Sequence, residues 1–170
     1  MDKLKQYLID AKAENSPKWK YLIFGNTSAD MDSVCGSMLM SYFYGMKTGN
    51  KYTPVVYCTR HELTFRFEIL KHLALFGIDE PFLRENVIFA EDFRDQETEV
   101  FSDIESVGLI DLNRLDKKLA DCFIKKVEYI VDHHSDHFHY LDSLKEKRIL
   151  KCGSATTLIV EKLLKDSDAF

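Results

Sequence analysis

Residues 21–33 read YLIFGNTSADMDS, and they predict a buried strand that passes through a polar loop into a helix. The apolar run 21–24 is continuous and is closed by Gly25, as in a parallel strand that is covered on both faces. The helix is expected over 33–47, where apolar residues lie nearly all round, and Gly49 marks its end. A buried strand followed by a helix is the first unit of an α/β fold.

The alternation of strands and helices continues along the chain. Further strands are expected at 54–58, 86–90, 107–111 and 127–132, with a weak strand at 149–152. Helices are expected at 3–14, 62–76, 115–124 and 154–165, the last with Ser154 as its N-cap. This order predicts an α/β fold with a Rossmann-like, mostly parallel sheet and helices on both faces. Because the 170 residues contain no repeat or internal linker, residues 1–170 are expected to form one domain that begins with the helix at about 3–14.

Charge narrows the possible functions. The chain has 23 basic and 28 acidic residues, a formal net charge of −5. Proteins that bind nucleic acids more often have a basic excess, so a nucleic-acid partner is disfavoured. A mildly acidic chain can still bind a phosphate substrate where bound metal ions reverse the local field. The charge is therefore compatible with a metal-dependent enzyme.

The sequence also indicates a cellular compartment. Residues 1–15 mix charged and apolar side chains and lack the apolar segment of a signal peptide. No stretch is apolar over a length that could span a bilayer. The four cysteines form no CxxC pair, and three lie in apolar or element-forming stretches, which favours buried reduced thiols. We therefore expect a cytoplasmic protein with no membrane partner.

Acidic and imidazole side chains follow three of the predicted strands. They are, in chain order, Asp30, Asp32, Asp111, Asp132, His133 and His134. Ligands of an open parallel sheet bind beyond the carboxyl ends of its strands, so these residues are expected to line one crevice. Aspartate oxygen together with histidine nitrogen is a suitable ligand set for Mn or Zn. Two such metal ions, sharing one carboxylate, could activate a bridging water.

Each cluster also has a simpler explanation when it is taken alone. Asp30 or Asp32 could be only the N-cap of the following helix, and Asp111 could close an Asx turn. The imidazoles after the strand at 127–132 could form a solvated loop or a separate zinc site; they belong to His133, His134, His137 and His139. The sequence contains no GxxxxGKS/T, GxGxxG, GxSxG or HExxH pattern, so other phosphate-binding and hydrolytic classes lose support. The joint occurrence of the clusters at strand ends favours the metal site.

Four segments together resemble the ordered motifs of the DHH superfamily of phosphoesterases. They are GNTSADMDS (25–33), IDLN (110–113), DHHSD (132–136) and CGSATT (152–157). The segment CTRHELTFRFEILKHLALFGID (58–79) is similar to the exopolyphosphatase/Prune branch, which is related to the family II inorganic pyrophosphatases. The resemblance extends from about residue 20 to the end of the chain.

The resemblance implies metal-dependent hydrolysis of phosphoanhydride bonds in inorganic polyphosphate or pyrophosphate, with two divalent ions, Mn or Mg. It implies the metal ligands Asp30, Asp32, Asp111 and His133, with Asp111 bridging the two ions. His134 would face the substrate phosphate, so that Asp111, His133 and His134 form the catalytic set. Asp132 would support the histidines, and Asn26 and Asp132 are further candidates for metal ligands or for residues that hold the ligands. Arg60 and Arg66 are candidate phosphate contacts, although either could equally be a solvated helix residue.

The sequence departs from the family pattern in three places. Asn26 stands where family II pyrophosphatases have a histidine ligand, which favours the exopolyphosphatase branch and a shift towards magnesium. Leu112 stands where relatives have a polar residue, which could weaken the support of Asp111. Relatives continue with a further strand that ends in a metal-ligand aspartate and with a second domain of basic residues. Since the chain stops at Phe170, we expect a fragment or a shortened gene product that is truncated before that domain.

These departures leave two alternatives to the hydrolase. The first is a metal- or phosphate-binding module that has little or no activity and acts through partners. The second is an oligonucleotide exonuclease, since the superfamily includes such enzymes. The net acidity argues against the exonuclease.

Overall fold

Six strands form the sheet of this computed structural model, which describes residues 2–15, 19–94, 101–140 and 142–166. The strands are Tyr21–Phe24 (β1), Thr53–Val56 (β2), Ile88–Phe89 (β3), Ser106–Ile110 (β4), Val127–Asp132 (β5) and Glu146–Ile149 (β6). Every neighbouring pair is parallel, and the strand order is β3-β2-β1-β4-β5-β6. The α/β prediction is confirmed, and the described sheet is wholly parallel.

The helices of the described residues alternate with these strands. They are Asp2–Asn15 (α1), Met31–Thr48 (α2), Arg60–Leu63 (α3), Phe67–Ala74 (α4), Glu80–Asn86 (α5), Glu91–Arg94 (α6), Lys117–Phe123 (α7) and Ala155–Lys165 (α8). Within these residues, no helix combines the length and the apolar content that crossing a bilayer requires.

Helices cover both faces of the sheet because successive side chains of a strand point to opposite faces. Leu22 and Phe24 of β1 belong to one core, which also contains Phe123 of α7. Ile23 belongs to a core on the other face, together with residues of α2 and with Ile159 of α8. The sheet is therefore buried between layers of helices, as its nearly continuous apolar strands predict.

The strand order reverses between β1 and β4. From β1 the chain proceeds to β2 and β3 on one side and then returns to β4 on the other. The loops after β1 and β4 thus separate in opposite directions, which opens a crevice at the carboxyl end of the sheet. This is the position at which open α/β sheets bind their ligands.

Three local predictions differ from the structure. The helix expected at 62–76 is two helices, α3 and α4, separated at residues 64–66. That stretch contains no glycine or proline, so the sequence does not mark the break. Helix α5 was not predicted, although Asp79 accepts a hydrogen bond from the backbone N–H of Phe82 and a proline lies in the first turn. The strand expected at 149–152 lies instead at Glu146–Ile149.

Candidate metal centre

The predicted metal ligands come from loops on both sides of the reversal in strand order. The β1–α2 loop supplies residues 25–30, and Asp111 follows β4 directly. Gly25 permits a close approach of the first turn of α2, because a Cβ at Gly25 would lie 2.8 Å from the carbonyl oxygen of Ser33. The backbone N–H of Asn26 donates to Oγ of Ser33 at 3.2 Å. The polar loop is therefore held against the end of β1.

Asp111 is the centre of the site. Its side chain is 2% exposed, and its φ is +60°, a left-handed conformation that aspartate tolerates better than most residues. Its backbone N–H donates to the carbonyl of Val131 at 2.9 Å. Oδ2 accepts hydrogen bonds from Nδ2 of Asn26 at 2.6 Å and from Oγ of Ser33 at 2.8 Å. The bonds from Asn26 and Ser33 hold the carboxylate against the β1–α2 loop and the first turn of α2.

The second oxygen of Asp111 has no hydrogen-bond partner among the described residues. Nε2 of His133 lies 3.2 Å from this Oδ1, but the two atoms are not aligned as a hydrogen bond. Burial raises the pKa of Asp111, and the nearby carboxylate of Asp30 raises it further. A buried carboxylate oxygen without a donor is costly, and a cation bound at this atom would offset that cost.

The ring of His133 is oriented so that its Nε2 faces Oδ1 of Asp111. Its Nδ1 lies 3.0 Å from the carbonyl oxygen of Cys152, which can only accept a hydrogen bond, so Nδ1 carries the hydrogen. The lone pair of the neutral ring is then on Nε2, which faces Oδ1 of Asp111. A histidine that binds a metal through one ring nitrogen usually donates the hydrogen of the other to a carboxylate or a backbone carbonyl, as His133 does here. The bond to Cys152 also raises the pKa of His133.

His134 completes a group of three possible ligands. One ligand atom each from Asp111, His133 and His134 lies within 4.8 Å of the other two. Carboxylate oxygen and imidazole nitrogen together suit divalent transition metals, and Oδ1 of Asp111 has no hydrogen-bond partner among the described residues. The residues present therefore fit a divalent cation.

Asp132 holds both histidines through hydrogen bonds to its carboxylate. It is fully buried, and its Oδ1 accepts from the backbone N–H of His133 at 2.7 Å and of His134 at 3.2 Å. The same oxygen lies 2.7 Å from Nδ1 of His134. Nδ2 of Asn113 donates to Oδ2 of Asp132. Since the carboxylate holds Nδ1 of His134, Nε2 is the ring nitrogen left for a ligand or substrate.

Asp30 is the N-cap of α2, as one of the simpler explanations allowed. Its Oδ1 accepts from the backbone N–H of Ser33 at 3.1 Å, and its Oδ2 accepts from Oγ of Ser28 at 3.0 Å. It nevertheless lines the same crevice as Asp111. A capping carboxylate retains lone pairs, so capping and metal binding are compatible at Asp30.

Asp32 faces the start of α8. It accepts hydrogen bonds from the hydroxyls of Ser154 at 2.8 Å and Thr156 at 2.7 Å and from the backbone N–H of Ala155 at 3.0 Å. Burial opposes ionisation, but these bonds outweigh it and lower the pKa of Asp32. The nearby His133 also favours the charged form of Asp32. The hydrogen bonds of Asp32 join the segment GNTSADMDS to the segment CGSATT.

The crevice has a volume of about 460 Å³. Five of the predicted site residues line it, namely Asn26, Asp30, Asp111, Asp132 and His134. It is also lined by Tyr57, Asn113 and Arg114, none of which was predicted to belong to the site, and by His137. Leu112 packs partly against the apolar core on the α7 side, so its side chain gives no polar support to Asp111.

The two predicted phosphate contacts occupy different surroundings. The guanidinium of Arg60 is bound by both oxygens of Asp92, at 2.7 and 2.9 Å, and by Glu91 at 2.7 Å. Arg60 would have to leave these carboxylates to reach a phosphate. Arg66 donates to the carbonyl oxygen of Ser28, which lines the crevice.

Two supporting residues were not recognised in the sequence. Ser33 is buried and donates to Asp111, and Asn113 is buried and donates to Asp132. Both lie inside the motif-like segments, Ser33 one residue after Asp32 and Asn113 two residues after Asp111. That proximity to a predicted ligand was the signal in the sequence that could have identified them. Their partners lie 78 and 19 residues away, and the sequence does not specify those pairings.

Comparison with known proteins agrees with this geometry. The family model described as DHH family, N-terminal domain, matches residues 20–169. A protein of Schizosaccharomyces pombe named "Putative exopolyphosphatase" is 29% identical over 160 residues, which are 93% of this chain and 40% of that protein. The chain thus spans less than half the length of this relative. The family match covers nearly the whole chain, and Asp111, His133 and His134 of the motif-like segments lie together as possible metal ligands. The chain therefore belongs to the DHH family of metal-dependent phosphoesterases.

Proposed function

We propose that this protein hydrolyses phosphoanhydride bonds of inorganic polyphosphate or pyrophosphate with the help of two divalent cations, Mn²⁺ or Mg²⁺. The observation that carries the proposal is Oδ1 of Asp111, which is buried, lacks a hydrogen-bond donor among the described residues and faces Nε2 of His133 at 3.2 Å. A carboxylate left in this state costs about 1–3 kcal/mol or more, which a bound cation would offset. The relative named as an exopolyphosphatase supports the choice of substrate.

The proposed cation ligands are Asp111 and His133, joined by Asp30 and Asp32. A carboxylate offers about four lone-pair positions. Asp32 uses three of them for the start of α8, so one remains for a cation. Asn26 donates to Oδ2 of Asp111. In this proposal Asn26 holds that carboxylate in place and is not itself a cation ligand.

When bound, divalent cations lower the pKa of a water ligand and offset the charge of phosphoryl oxygens. The chain itself contributes position and hydrogen bonds. His134 lines the crevice, and its Nδ1 is held by the buried Asp132, so its Nε2 can contact a phosphoryl oxygen.

The test is release of phosphate from tripolyphosphate and pyrophosphate in the presence of Mn²⁺, Mg²⁺ or EDTA. We expect release by the wild-type protein only with a divalent cation, and a loss of at least about a hundredfold in Asp111→Asn. Asparagine tolerates the positive φ of this position, so the variant keeps the backbone. Asp121→Asn is the matched control, because Asp121 is an exposed carboxylate outside the crevice.

Three results would contradict the proposal. Release of phosphate in EDTA would exclude a role for divalent cations in hydrolysis. Full activity of Asp111→Asn would exclude Asp111 as the central cation ligand. Tight binding of tripolyphosphate and Mn²⁺ without any turnover would favour a binding module. Faster cleavage of a short oligonucleotide than of tripolyphosphate would favour an exonuclease.

A further inference from the structure

Arg114 differs from the other arginines whose side chains the structure describes. The others each have a partner, a carboxylate for Arg60, Arg84 and Arg148 and the carbonyl of Ser28 for Arg66. Arg114 lines the crevice of the metal centre and forms no ion pair or side-chain hydrogen bond with any described residue. Its guanidinium is therefore available to a ligand.

The nearest carboxylate along the chain does not neutralise Arg114. Asp116 also lines the crevice, but Oδ2 of Asp116 accepts a hydrogen bond from the hydroxyl of Tyr57. Oδ1 of Asp116 accepts from the backbone N–H of Leu119 at 3.1 Å, as the N-cap of α7. Both oxygens of Asp116 thus bond to other groups, and Asp116 forms no ion pair with Arg114.

The backbone that carries Arg114 is fixed on both sides. Asn113 is 4% exposed, and its amide donates to Asp132 and to the carbonyl of Ser135. Leu115 is 2% exposed, and its backbone N–H donates to the hydroxyl of Tyr140 at 3.0 Å. The backbone at Arg114 is thus anchored on both sides, and its exposed side chain lines the crevice.

Position and charge define what Arg114 can bind. It lies three residues after Asp111, so the two Cα atoms are at most about 11 Å apart. Of the residues that line the crevice in the described chain, Arg114 is the one whose side chain is always positive. A guanidinium binds phosphate oxygens through two parallel hydrogen bonds. A single phosphate at the cations need not reach Arg114, but a phosphate chain extends beyond them.

We propose that Arg114 binds the phosphate adjacent to the one held at Asp111 and His133, so that this domain contains its own subsite for a second phosphate. The inference rests on the proposed function for the position of the first phosphate. It assigns the recognition of a phosphate chain, as opposed to a single phosphate, to the loop between β4 and α7.

The experiment compares two probes by isothermal titration calorimetry in saturating Mn²⁺. Inorganic phosphate has one phosphate group, and imidodiphosphate has two joined by an NH bridge that resists hydrolysis. We expect the dissociation constant of Arg114→Gln to rise about 10- to 100-fold for imidodiphosphate and less than about threefold for inorganic phosphate. Arg114→Lys should lie between the two, because lysine keeps the charge but loses the planar fork.

Lys117→Gln is the control, since it removes one exposed positive charge three residues away and outside the crevice. It should leave both dissociation constants within about twofold of the wild type. An unchanged melting temperature and an unchanged Mn²⁺ affinity in Arg114→Gln would exclude a merely structural effect.

Each other outcome has a distinct meaning. Equal losses for the two probes in Arg114→Gln, or no loss for either, would overturn the subsite while the proposed hydrolysis could still be observed. A wild-type protein that binds neither probe would overturn both inferences. The expected difference between the probes without any hydrolysis of pyrophosphate would support the subsite and remove the proposed function.

Discussion

Replacing Asp111 by asparagine should have opposite effects on stability in the absence and in the presence of metal. In the metal-free protein, Oδ1 is a buried acceptor without a donor among the described residues. Asparagine can keep its oxygen at the position bonded by Asn26 and Ser33 and place its amide where Oδ1 faces Nε2 of His133, which is an acceptor in the neutral ring. The variant thus replaces an oxygen that has no donor by an amide nitrogen that can donate a hydrogen bond to Nε2 of His133.

The expected magnitudes follow from these contacts. Removing the unsatisfied carboxylate oxygen should stabilise the metal-free protein by about 1 kcal/mol, which raises the melting temperature of a chain of this size by about 2–4 °C. A cation present at a hundred times its dissociation constant stabilises the wild type by about 2.7 kcal/mol, or about 5–11 °C. Asp111→Asn should lose most of this second increase, because the cation loses its central charged ligand.

The assay is thermal unfolding followed by circular dichroism at pH 7.5, after EDTA treatment, with and without added Mn²⁺. Asp121→Asn serves again as the control and should behave like the wild type in both conditions. An Asp111→Asn protein that is strongly destabilised without metal, yet is stabilised by Mn²⁺ as much as the wild type, would refute the assignment of Oδ1 as a cation ligand.

Three further predictions concern Asp132, Arg60 and Cys58. Asp132→Asn should lower the free energy of unfolding by about 1–3 kcal/mol and kcat by about 10- to 100-fold, because the carboxylate that holds His134 also accepts from three other donors; denaturant unfolding and phosphate release measure the two effects. Arg60→Ala should cost about 1–3 kcal/mol of stability by leaving Asp92 without its bidentate partner, but should leave KM for tripolyphosphate unchanged; a tenfold rise in KM would restore the expectation that Arg60 contacts phosphate. Burial raises the pKa of Cys58 to about 11, so at pH 8 its alkylation by iodoacetamide, followed by mass spectrometry, should be at least about a hundredfold slower than that of N-acetylcysteine.

That Asp111, His133 and His134 come together could be predicted because it follows from strand order and strand polarity. Asp111 and His133 follow β4 and β5, and parallel neighbours place their carboxyl ends at one edge of the sheet. The sequence did not reveal which oxygen would lack a donor. That depends on Asn26 and Ser33 both bonding Oδ2 across 85 and 78 residues of chain. Such pairings are consequences of packing and not of local pattern.

The helical part of the fold shows the same division between local and distant causes. Helix α5 has a local signal, an aspartate N-cap followed by a proline in the first turn, and a closer reading of residues 79–82 would have predicted it. The break between α3 and α4 has no such signal. It is stabilised in part by Arg66, whose guanidinium bonds the carbonyl of Ser28 in the β1–α2 loop, 38 residues away.

The arginines illustrate why a charged residue cannot be assigned to a substrate from the sequence alone. Arg60 lies in a segment similar to exopolyphosphatases, but its guanidinium is bound by Asp92, which lies 32 residues further along the chain. Arg114 follows a predicted ligand by three residues, yet an acidic neighbour, Asp116, suggests a local ion pair. The fold assigns that neighbour to Tyr57 and to the cap of α7 and leaves Arg114 unpaired over the crevice. Arg60 would have to leave two carboxylates to reach a phosphate, whereas Arg114 forms no ion pair with a described residue, so of these two arginines Arg114 is the one available to a phosphate.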